Sequence, residues 1–351
     1  MPGKIKVLIV DDSALVRNIL SSGLGKFPDL EIAGTAANPY IARDMIVKTR
    51  PHVLTLDVEM PRMDGVEFLR KLMPQYPLPV VMVSALTEKG KKITLQALEA
   101  GAIDFVTKPS TDIARGLTAM ITDLHSKIIT ASRANVSGWK RERKEIREVS
   151  TERYTALAES TDKVIAIGAS TGGTEAIRNV ITRFSAVMPG VVIVQHMPAG
   201  FTKMFADRLN EQCQMNVKEA EDGDRVMAGR ILIAPGDYQM RVVRSGGIYK
   251  VRISQEEKVC GHSPSVEVLF QSVAKYAGGN GLGIILTGMG HDGANGMLAL
   301  KQNGARTIAQ DEASSVVYGM PKVAYERGGV EFVVSIENIA NKVVSLLTEN
   351  N

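Results

Sequence analysis

Apolar and polar residues alternate along the first 130 positions in a way that predicts strands and helices in turn. Runs of β-branched and other apolar residues, each bounded by turn residues, predict five strands, at residues 4–10, 30–34, 53–57, 79–84 and 103–109. The helix after the first strand is predicted to bury a face formed by Leu15, Ile19, Leu20 and Leu24. Strands that alternate with helices favour a parallel, doubly wound α/β sheet.

The same alternation returns after residue 163 and predicts a second doubly wound α/β unit with a mainly parallel sheet. Strands are predicted at residues 164–167, 191–195, 282–287 and 306–310, and residues 231–236 are assigned to a more irregular section. Helices are predicted at 201–210 and 264–277, and residues 238–254 are expected to form a hairpin that turns at Ser245-Gly246-Gly247.

The residues between the two units differ from both. Residues 140–148 hold one apolar residue among charges of both signs, which is typical of a solvated linker. A chain of 351 residues also exceeds the size of one typical core. We therefore predict a first domain at residues 1–130, a charged linker at 131–160 and a second domain at 161–351.

Net charge, apolar run lengths and cysteine content argue against several classes of protein, namely nucleic-acid-binding, membrane-spanning, secreted and cysteine-ligated metal proteins. The net charge of +4 is small for this length and does not indicate a nucleic-acid surface. No run approaches the ~18 apolar residues that cross a bilayer, and the N-terminus lacks a signal-peptide pattern. Cys213 and Cys260 fit no metal-ligand spacing and are expected to be reduced thiols. We expect a cytoplasmic protein without membrane insertion, and nothing in the sequence requires more than a monomer.

Chemically active side chains follow the predicted strands of the first domain, namely Asp11, Asp12, Asp57, Ser84 and Lys108. In a parallel sheet these carboxyl ends meet at one edge, where ligands bind. Clustered carboxylates suit Mg²⁺, and Asp57 could then attack a phosphoryl group held by Lys108 and Ser84. A single aspartate is explained as well by a strand end or a helix cap, but five suitable groups at four strand ends of one sheet favour a site.

These residues resemble the signature of a known family, the two-component response-regulator receiver domains. The matching motifs are Asp11-Asp12, Asp57, Met60-Pro61, Met63-Asp64-Gly65, Ser84-Ala85 and Lys108-Pro109. The resemblance implies that Asp57 accepts a phosphoryl group from a histidine kinase.

The same resemblance implies a Mg²⁺ ion that phosphorylation requires. Its ligands would be Asp12, Asp57 and the backbone carbonyl of Glu59, with Asp11 acting through water. Phe105 takes the position of the aromatic residue that commonly switches conformation in the family.

The second domain opens on a Gly-x-Ser-x-Gly motif centred on Ser170. An apolar strand, the tight turn Gly168-Ala169-Ser170-Thr171-Gly172 and a helix start predict a nucleophile elbow that exposes the serine hydroxyl. The alternative is a glycine-rich turn that contacts a phosphate.

Ser170, His196 and Asp292 each follow an apolar strand, so a parallel sheet can bring them together. A serine nucleophile needs a histidine base, and the base needs a carboxylate that fixes its tautomer. His262 and His291 compete for the role of base, and His196 has an alternative as a merely hydrogen-bonded strand-end residue. The chain order Ser, His, Asp differs from that of α/β-hydrolases, so that fold is not predicted.

The motifs around these residues resemble the chemotaxis protein-glutamate methylesterases. They are Gly168 to Gly173, Gln195-His196-Met197-Pro198 and Leu286 to Gly290 with Asp292-Gly293. The resemblance implies Ser170 as nucleophile, His196 as general base and acid, and Asp292 as the orienting carboxylate. It places backbone N–H groups of Thr171 and Met289 at the oxyanion site. His291 departs from the pattern, since asparagine is more usual there.

The resemblance also implies a substrate and a mode of control. The substrate would be a glutamyl methyl ester on the helical cytoplasmic domain of a chemoreceptor, with deamidation of receptor glutamines as a side activity. Ester hydrolysis would need no cofactor, and phosphorylation would relieve inhibition by the first domain. The competing hypothesis is a response regulator whose second half is non-catalytic or binds DNA, but no helix-turn-helix signature supports DNA binding.

Overall fold

The computed structural model of the chain describes residues 3–85, 87–109, 113–136 and 162–348. The chain divides into two compact units, Met1–Lys144 and Glu145–Asn351. Most of the expected linker at 131–160 lies outside the described residues, so that boundary stays a prediction. Among the described residues, no helix is both long and apolar enough to cross a membrane.

The first unit holds a five-stranded parallel sheet in the order β2-β1-β3-β4-β5. Its strands are β1 (Ile5–Val10), β2 (Leu30–Ala36), β3 (Val53–Asp57), β4 (Val80–Ser84) and β5 (Asp104–Thr107). Its helices are α1 (Ala14–Leu24), α2 (Pro39–Thr49), α3 (Gly65–Gln75), α4 (Glu88–Glu99) and α5 (Ile113–Ser132). The doubly wound fold predicted for this unit is confirmed.

Side-chain caps explain where these helices begin. The oxygens of Ser13, Asn38, Asp64 and Thr87 accept hydrogen bonds from backbone N–H groups in the first turns of α1 to α4. Such bonds satisfy donors that a helix start leaves without partners.

The predicted buried face of α1 is wrong at Leu15, which is 68% exposed. Helix α1 instead buries Leu20, Gly23 and Leu24. Leu15 lies five residues before Leu20, which places it roughly 140° around the helix axis, because each residue turns the helix by about 100°.

The second unit holds a seven-stranded parallel sheet in the order β14-β13-β12-β6-β7-β9-β8. Its strands are β6 (Val164–Ala169), β7 (Gly190–Gln195), β8 (Asn216–Glu219), β9 (Arg230–Ile233), β12 (Gly281–Ile285), β13 (Arg306–Gln310) and β14 (Phe332–Val334). Its helices are α6 (Gly173–Ile181), α7 (Phe201–Asn210), α8 (Val266–Ala277), α9 (Ala294–Gln302), α10 (Met320–Glu326) and α11 (Ile336–Thr348). The second predicted parallel sheet is confirmed.

An antiparallel hairpin, β10 (Gln239–Ser245) and β11 (Ile248–Ser254), packs beside this sheet. It turns at Gly246-Gly247, as predicted, and its inner face contributes Met240 and Val242 to the core. The adjacent strands β12, β6 and β7 form the centre of the sheet, so the residues that follow them lie close together at one edge.

Candidate active site

Ser170 directly follows β6, where the chain bends into α6. The bend itself is taken by Gly172, whose φ of 75° lies in the left-handed region. The Ser170 N–H donates to the Thr287 carbonyl at 3.0 Å, which ties the serine to the end of β12. A Cβ at Gly288 would lie 2.7 Å from Cβ of Ser170, so only glycine allows that close approach.

His196 follows β7 and contacts both other predicted residues. Its Nε2 lies 2.7 Å from Oδ2 of Asp292, and its Nδ1 lies 3.1 Å from Oγ of Ser170. A carboxylate can only accept, so Nε2 carries the ring proton and Nδ1 offers its lone pair to the Ser170 hydroxyl. The ring is therefore in the tautomer that a general base requires.

Asp292 is almost fully buried and accepts four hydrogen bonds. Besides His196, its donors are the Ser265 hydroxyl at 2.7 Å and the backbone N–H groups of Val266 at 2.7 Å and Glu267 at 3.0 Å. Burial alone would raise the pKa of Asp292, but the bonds from His196, Ser265 and Glu267 outweigh it and lower that pKa. The carboxylate thus stays ionised beside the imidazole.

The carboxylate also acts as the cap of helix α8. Val266 and Glu267 are the first residues of that helix, where N–H groups lack intrahelical acceptors. Ser265, the residue before the helix, makes no cap bond of its own, because its hydroxyl donates to Asp292.

Buried polar side chains beside the predicted residues hold the strand ends in place. Gln195 donates to the carbonyl oxygens of Ser170 at 2.9 Å and His196 at 3.2 Å. The Thr287 hydroxyl donates to the carbonyl oxygen of Thr171 at 3.0 Å. Both residues lie in the motifs quoted for the family resemblance and end apolar runs, but no role was predicted for either.

The competing histidines have different positions. His291 is exposed while its neighbour Asp292 is buried. The His262 ring lies flat against His196, with ring centroids 3.6 Å apart and planes 13° from parallel. His262 therefore contacts the predicted base, and the hydrogen bond to Ser170 belongs to His196.

Neither cysteine offers an alternative nucleophile, since both are free thiols whose pKa is raised. Burial raises the pKa of Cys213 to about 11. Partial burial first, and then the negative charge of Asp292, raise the pKa of Cys260. Both groups are therefore thiols rather than thiolates at neutral pH.

The predicted oxyanion residues flank the serine. Thr171 follows it in the chain and is buried. Met289 follows Gly288, where an added Cβ would lie 2.7 Å from Cβ of Ser170, and its side chain is 44% exposed. Their role as donors stays a prediction.

The carboxyl edge of the first sheet brings together Asp11, Asp57 and Lys108. Lys108 Nζ lies 2.9 Å from Oδ2 of Asp11 and 3.0 Å from Oδ1 of Asp57. Burial raises the pKa of Asp57 to about 6, although Lys108 acts in the opposite direction. For Lys108, burial would lower the pKa, but the carboxylates of Asp57 and Asp11 outweigh it and raise that pKa.

A divalent cation fits this edge. Asp11, Asp12 and Asp57 each offer a carboxylate oxygen, and the three oxygens lie within 4.8 Å of one another. An all-oxygen set of this charge matches the ligand preference of Mg²⁺.

Three further residues were predicted to act at this edge of the first sheet, namely Ser84, Phe105 and Glu59. The Ser84 hydroxyl is fully buried and accepts from Thr94 at 2.6 Å, and Phe105 is also buried. The exposed Glu59 carboxylate lies 3.7 Å from Lys89 Nζ. The roles of Ser84, Phe105 and Glu59 stay predictions.

Comparison with known proteins found relatives of both units. The family model of the CheB methylesterase matches residues 165–343, and that of the response regulator receiver domain matches residues 7–121. A protein of Syntrophotalea carbinolica named protein-glutamate methylesterase/protein-glutamine glutaminase is 65% identical over 350 residues, covering 99% of each chain. A protein of that name from Salmonella typhimurium is 53% identical and covers 98% of this chain and 97% of its own.

A solved structure is similar to the second unit. The CheB methylesterase catalytic domain of Thermotoga maritima is 36% identical and aligns with a TM-score of 0.51, covering 52% of this chain and 98% of that domain. The chain therefore belongs to the CheB methylesterase family and carries a response regulator receiver domain in its N-terminal part.

Proposed function

We propose that this protein hydrolyses glutamyl methyl esters on the cytoplasmic helical domain of chemoreceptors, releasing methanol and leaving glutamate. The observation that carries the proposal is the hydrogen-bonded series Ser170–His196–Asp292, which follows the carboxyl ends of the central strands of the second sheet. Relatives named protein-glutamate methylesterase/protein-glutamine glutaminase match nearly the whole chain, which supports the choice of substrate.

Acylation begins at the Ser170 hydroxyl. As Oγ attacks the ester carbonyl carbon, its proton passes to Nδ1 of His196, and Asp292 stabilises the resulting imidazolium through Nε2. The carbonyl oxygen becomes an oxyanion, to which the N–H groups of Thr171 and Met289 are proposed to donate. The imidazolium then returns its proton to the methoxide oxygen, and methanol leaves an acyl-enzyme on Ser170.

Deacylation repeats these transfers with water. His196 accepts a proton from water as the oxygen attacks the acyl carbon, then gives it to Oγ of Ser170, which releases the glutamate side chain. A glutamine side chain enters the same sequence and loses ammonia in place of methanol. The geometry thus supports deamidation as a second activity of one site.

The first unit is proposed to accept a phosphoryl group on Asp57 from a histidine kinase. Asp11, Asp12 and Asp57, with the Glu59 carbonyl, would hold Mg²⁺, which supplies charge neutralisation for the phosphoryl oxygens when bound. Lys108 already contacts both Asp11 and Asp57 and can pair with a phosphoryl oxygen instead. Phosphorylation is proposed to raise the esterase rate in the cytoplasm, as part of chemotactic adaptation.

Methanol release from methylated chemoreceptor membranes tests the proposal, measured with and without a small phosphodonor and Mg²⁺. Ser170→Ala is expected to lower release by at least about 10⁴-fold, because it removes the nucleophile. Ser245→Ala, at the exposed end of β10, is the matched control and should retain activity. Stimulation by the phosphodonor should disappear in Asp57→Ala.

The outcomes separate the two halves of the proposal. Release that survives in Ser170→Ala would rule out the esterase mechanism. If the phosphodonor does not change the rate of methanol release, the esterase activity stands and its regulation by phosphorylation is ruled out. A non-catalytic or DNA-binding second half is not favoured, since the family match covers residues 165–343.

A further inference from the structure

We infer that His262 is a positioning residue for the general base, acting through the ring of His196; this inference rests on the proposed function. The two imidazole rings are stacked face to face, with centroids 3.6 Å apart and planes 13° from parallel. The hydroxyl and carboxylate of the triad contact the edge of the His196 ring, whereas His262 covers one of its faces.

A covered face limits rotation of the His196 ring. The torsion that turns an imidazole about its Cβ–Cγ bond is broad, so two edge hydrogen bonds alone allow the ring to rock. A parallel ring in van der Waals contact removes much of that freedom. His262 thereby keeps Nδ1 directed at Ser170 during both proton transfers.

Stacking also favours the charged state that forms during the reaction. When His196 accepts the serine proton it becomes a cation lying against the face of the His262 ring, whose π system attracts it. The same contact is weaker before proton transfer, so the stabilisation is greater in the transition state than in the ground state. His262 should therefore affect kcat more than KM.

The segment that carries His262 is held firmly. Val259 and His262 exchange two backbone hydrogen bonds, of 3.0 and 2.9 Å, around a two-residue turn. The fully buried side chain of Gln239 donates to the His262 carbonyl at 3.1 Å and accepts from the Ser265 N–H at 2.9 Å. One short segment thus positions the base through His262 and the carboxylate through Ser265.

Three variants of the full-length protein test the inference, each assayed for methanol release. His262→Ala removes the ring, His262→Leu keeps apolar volume without a ring, and His262→Phe keeps a planar aromatic ring without titratable nitrogens. We expect kcat to fall roughly 10- to 30-fold in the Ala and Leu variants with little change in KM, and to stay within about threefold of the original in the Phe variant.

A second measurement does not depend on the receptor, namely the rate at which a fluorophosphonate labels Ser170. That reaction needs the Ser170–His196 pair, so labelling should slow in the Ala and Leu variants and recover in the Phe variant. If the original protein labels normally but releases no methanol, the proposed substrate fails and the labelling series still tests His262.

Three results would overturn the inference. An Ala variant with unchanged kcat and labelling would show that the ring has no effect on the base. A Phe variant as slow as the Ala variant would show that an imidazole nitrogen, rather than stacking, is required. A loss confined to KM would assign His262 to substrate binding.

Discussion

Asp57 and Asp292 are both buried carboxylates near the carboxyl edge of a parallel sheet, yet their pKa values shift in opposite directions. Both are buried, and each follows or ends a central strand. The pKa of Asp57 is raised to about 6, while that of Asp292 is lowered. The difference follows from the donors around each group, because burial penalises both carboxylates.

The donors of Asp292 are distributed over both of its oxygens, from His196 and Val266 to Oδ2 and from Ser265 and Glu267 to Oδ1. Asp57 accepts from the Val58 N–H at 2.8 Å and contacts Lys108 through the same atom, Oδ1. Asp57 also feels the negative charge of Asp11, which raises its pKa further. Asp292, the proposed orienting carboxylate, thus accepts hydrogen bonds on both oxygens, whereas Asp57, the proposed phosphoryl acceptor, makes these two contacts through one oxygen.

The largest expected effect comes from Asp292→Asn. The amide cannot stabilise the imidazolium and favours the wrong tautomer of His196, so kcat for methanol release should fall by roughly 10³- to 10⁴-fold. Asp207→Asn, on the exposed part of α7, is the matched control and should leave kcat unchanged. An Asp292→Asn variant within tenfold of the original would contradict the assigned role.

Asp57→Asn should stabilise the first unit at neutral pH in the presence of a chelator. The folded protein binds a proton on Asp57 up to about pH 6, whereas the unfolded chain releases it near pH 3.8, so the free energy of unfolding falls as pH rises between those values. Removing that charge should add about 3 kcal/mol above pH 6 and nothing below pH 3.8, since one pKa unit is worth about 1.4 kcal/mol.

Hydrogen exchange of amides in β1 and β3 measures this difference within the intact protein. Asp44→Asn, which replaces an exposed carboxylate of α2, controls for the loss of one charge. A stabilisation that is the same at pH 4 and pH 8 would show that titration of Asp57 is not its origin.

Ser265→Ala removes one of the four donors to Asp292 and should have a smaller effect. A hydrogen bond to a charged group contributes about 1.5–3 kcal/mol, so kcat should fall by roughly 10- to 100-fold, with a rise in the pKa of Asp292. Ser245→Ala again serves as the control. An unchanged kcat would mean that the two backbone donors and His196 suffice to fix the carboxylate.

The smallest effect is expected at an exposed carboxylate, Asp29. Its Oδ1 lies 3.0 Å from Nε2 of His125, and that hydrogen bond lowers its pKa. The hydrogen bond stabilises the folded protein fully at pH values above the pKa that Asp29 has in the unfolded chain. This stabilisation is lost as the pH falls through the lowered pKa of Asp29 in the folded protein. Because solvent screens the pair, Asp29→Asn should reduce the free energy of unfolding by less than about 1 kcal/mol, measured by urea denaturation at pH 6.

The sequence alone predicted which of these side chains come together, because the ends of apolar strands are easy to recognise. Ser170, His196 and Asp292 each follow an apolar run, and parallel pairing of β12, β6 and β7 brings such positions together. The same argument predicted that Asp11, Asp57 and Lys108 lie together at the carboxyl edge of the first sheet, and the structure places them in contact.

The supporting contacts could not be predicted in this way. Ser265 donates a hydrogen bond to Asp292, which lies 27 residues away in the sequence. His262 stacks on His196 because of the course of an irregular turn, which a pattern of apolar and polar residues does not predict. The short strands β8 and β14 were also missed, since four and three residues give too little alternation to recognise. Leu15 is an error of the opposite kind. It was predicted on the buried face of α1 because it is apolar, but it lies on another side of the helix and is exposed.

Asp292 accepts hydrogen bonds both from His196 and from the first N–H groups of α8, so amide exchange in that helix can report on the geometry of the candidate active site. Since its carboxylate accepts from the first two N–H groups of α8, exchange of those two protons with solvent requires the carboxylate to move away. The Val266 and Glu267 amides should therefore be protected only while the triad is assembled. Their deuterium uptake, followed with and without a phosphodonor, would measure how often the catalytic geometry opens, independently of any substrate.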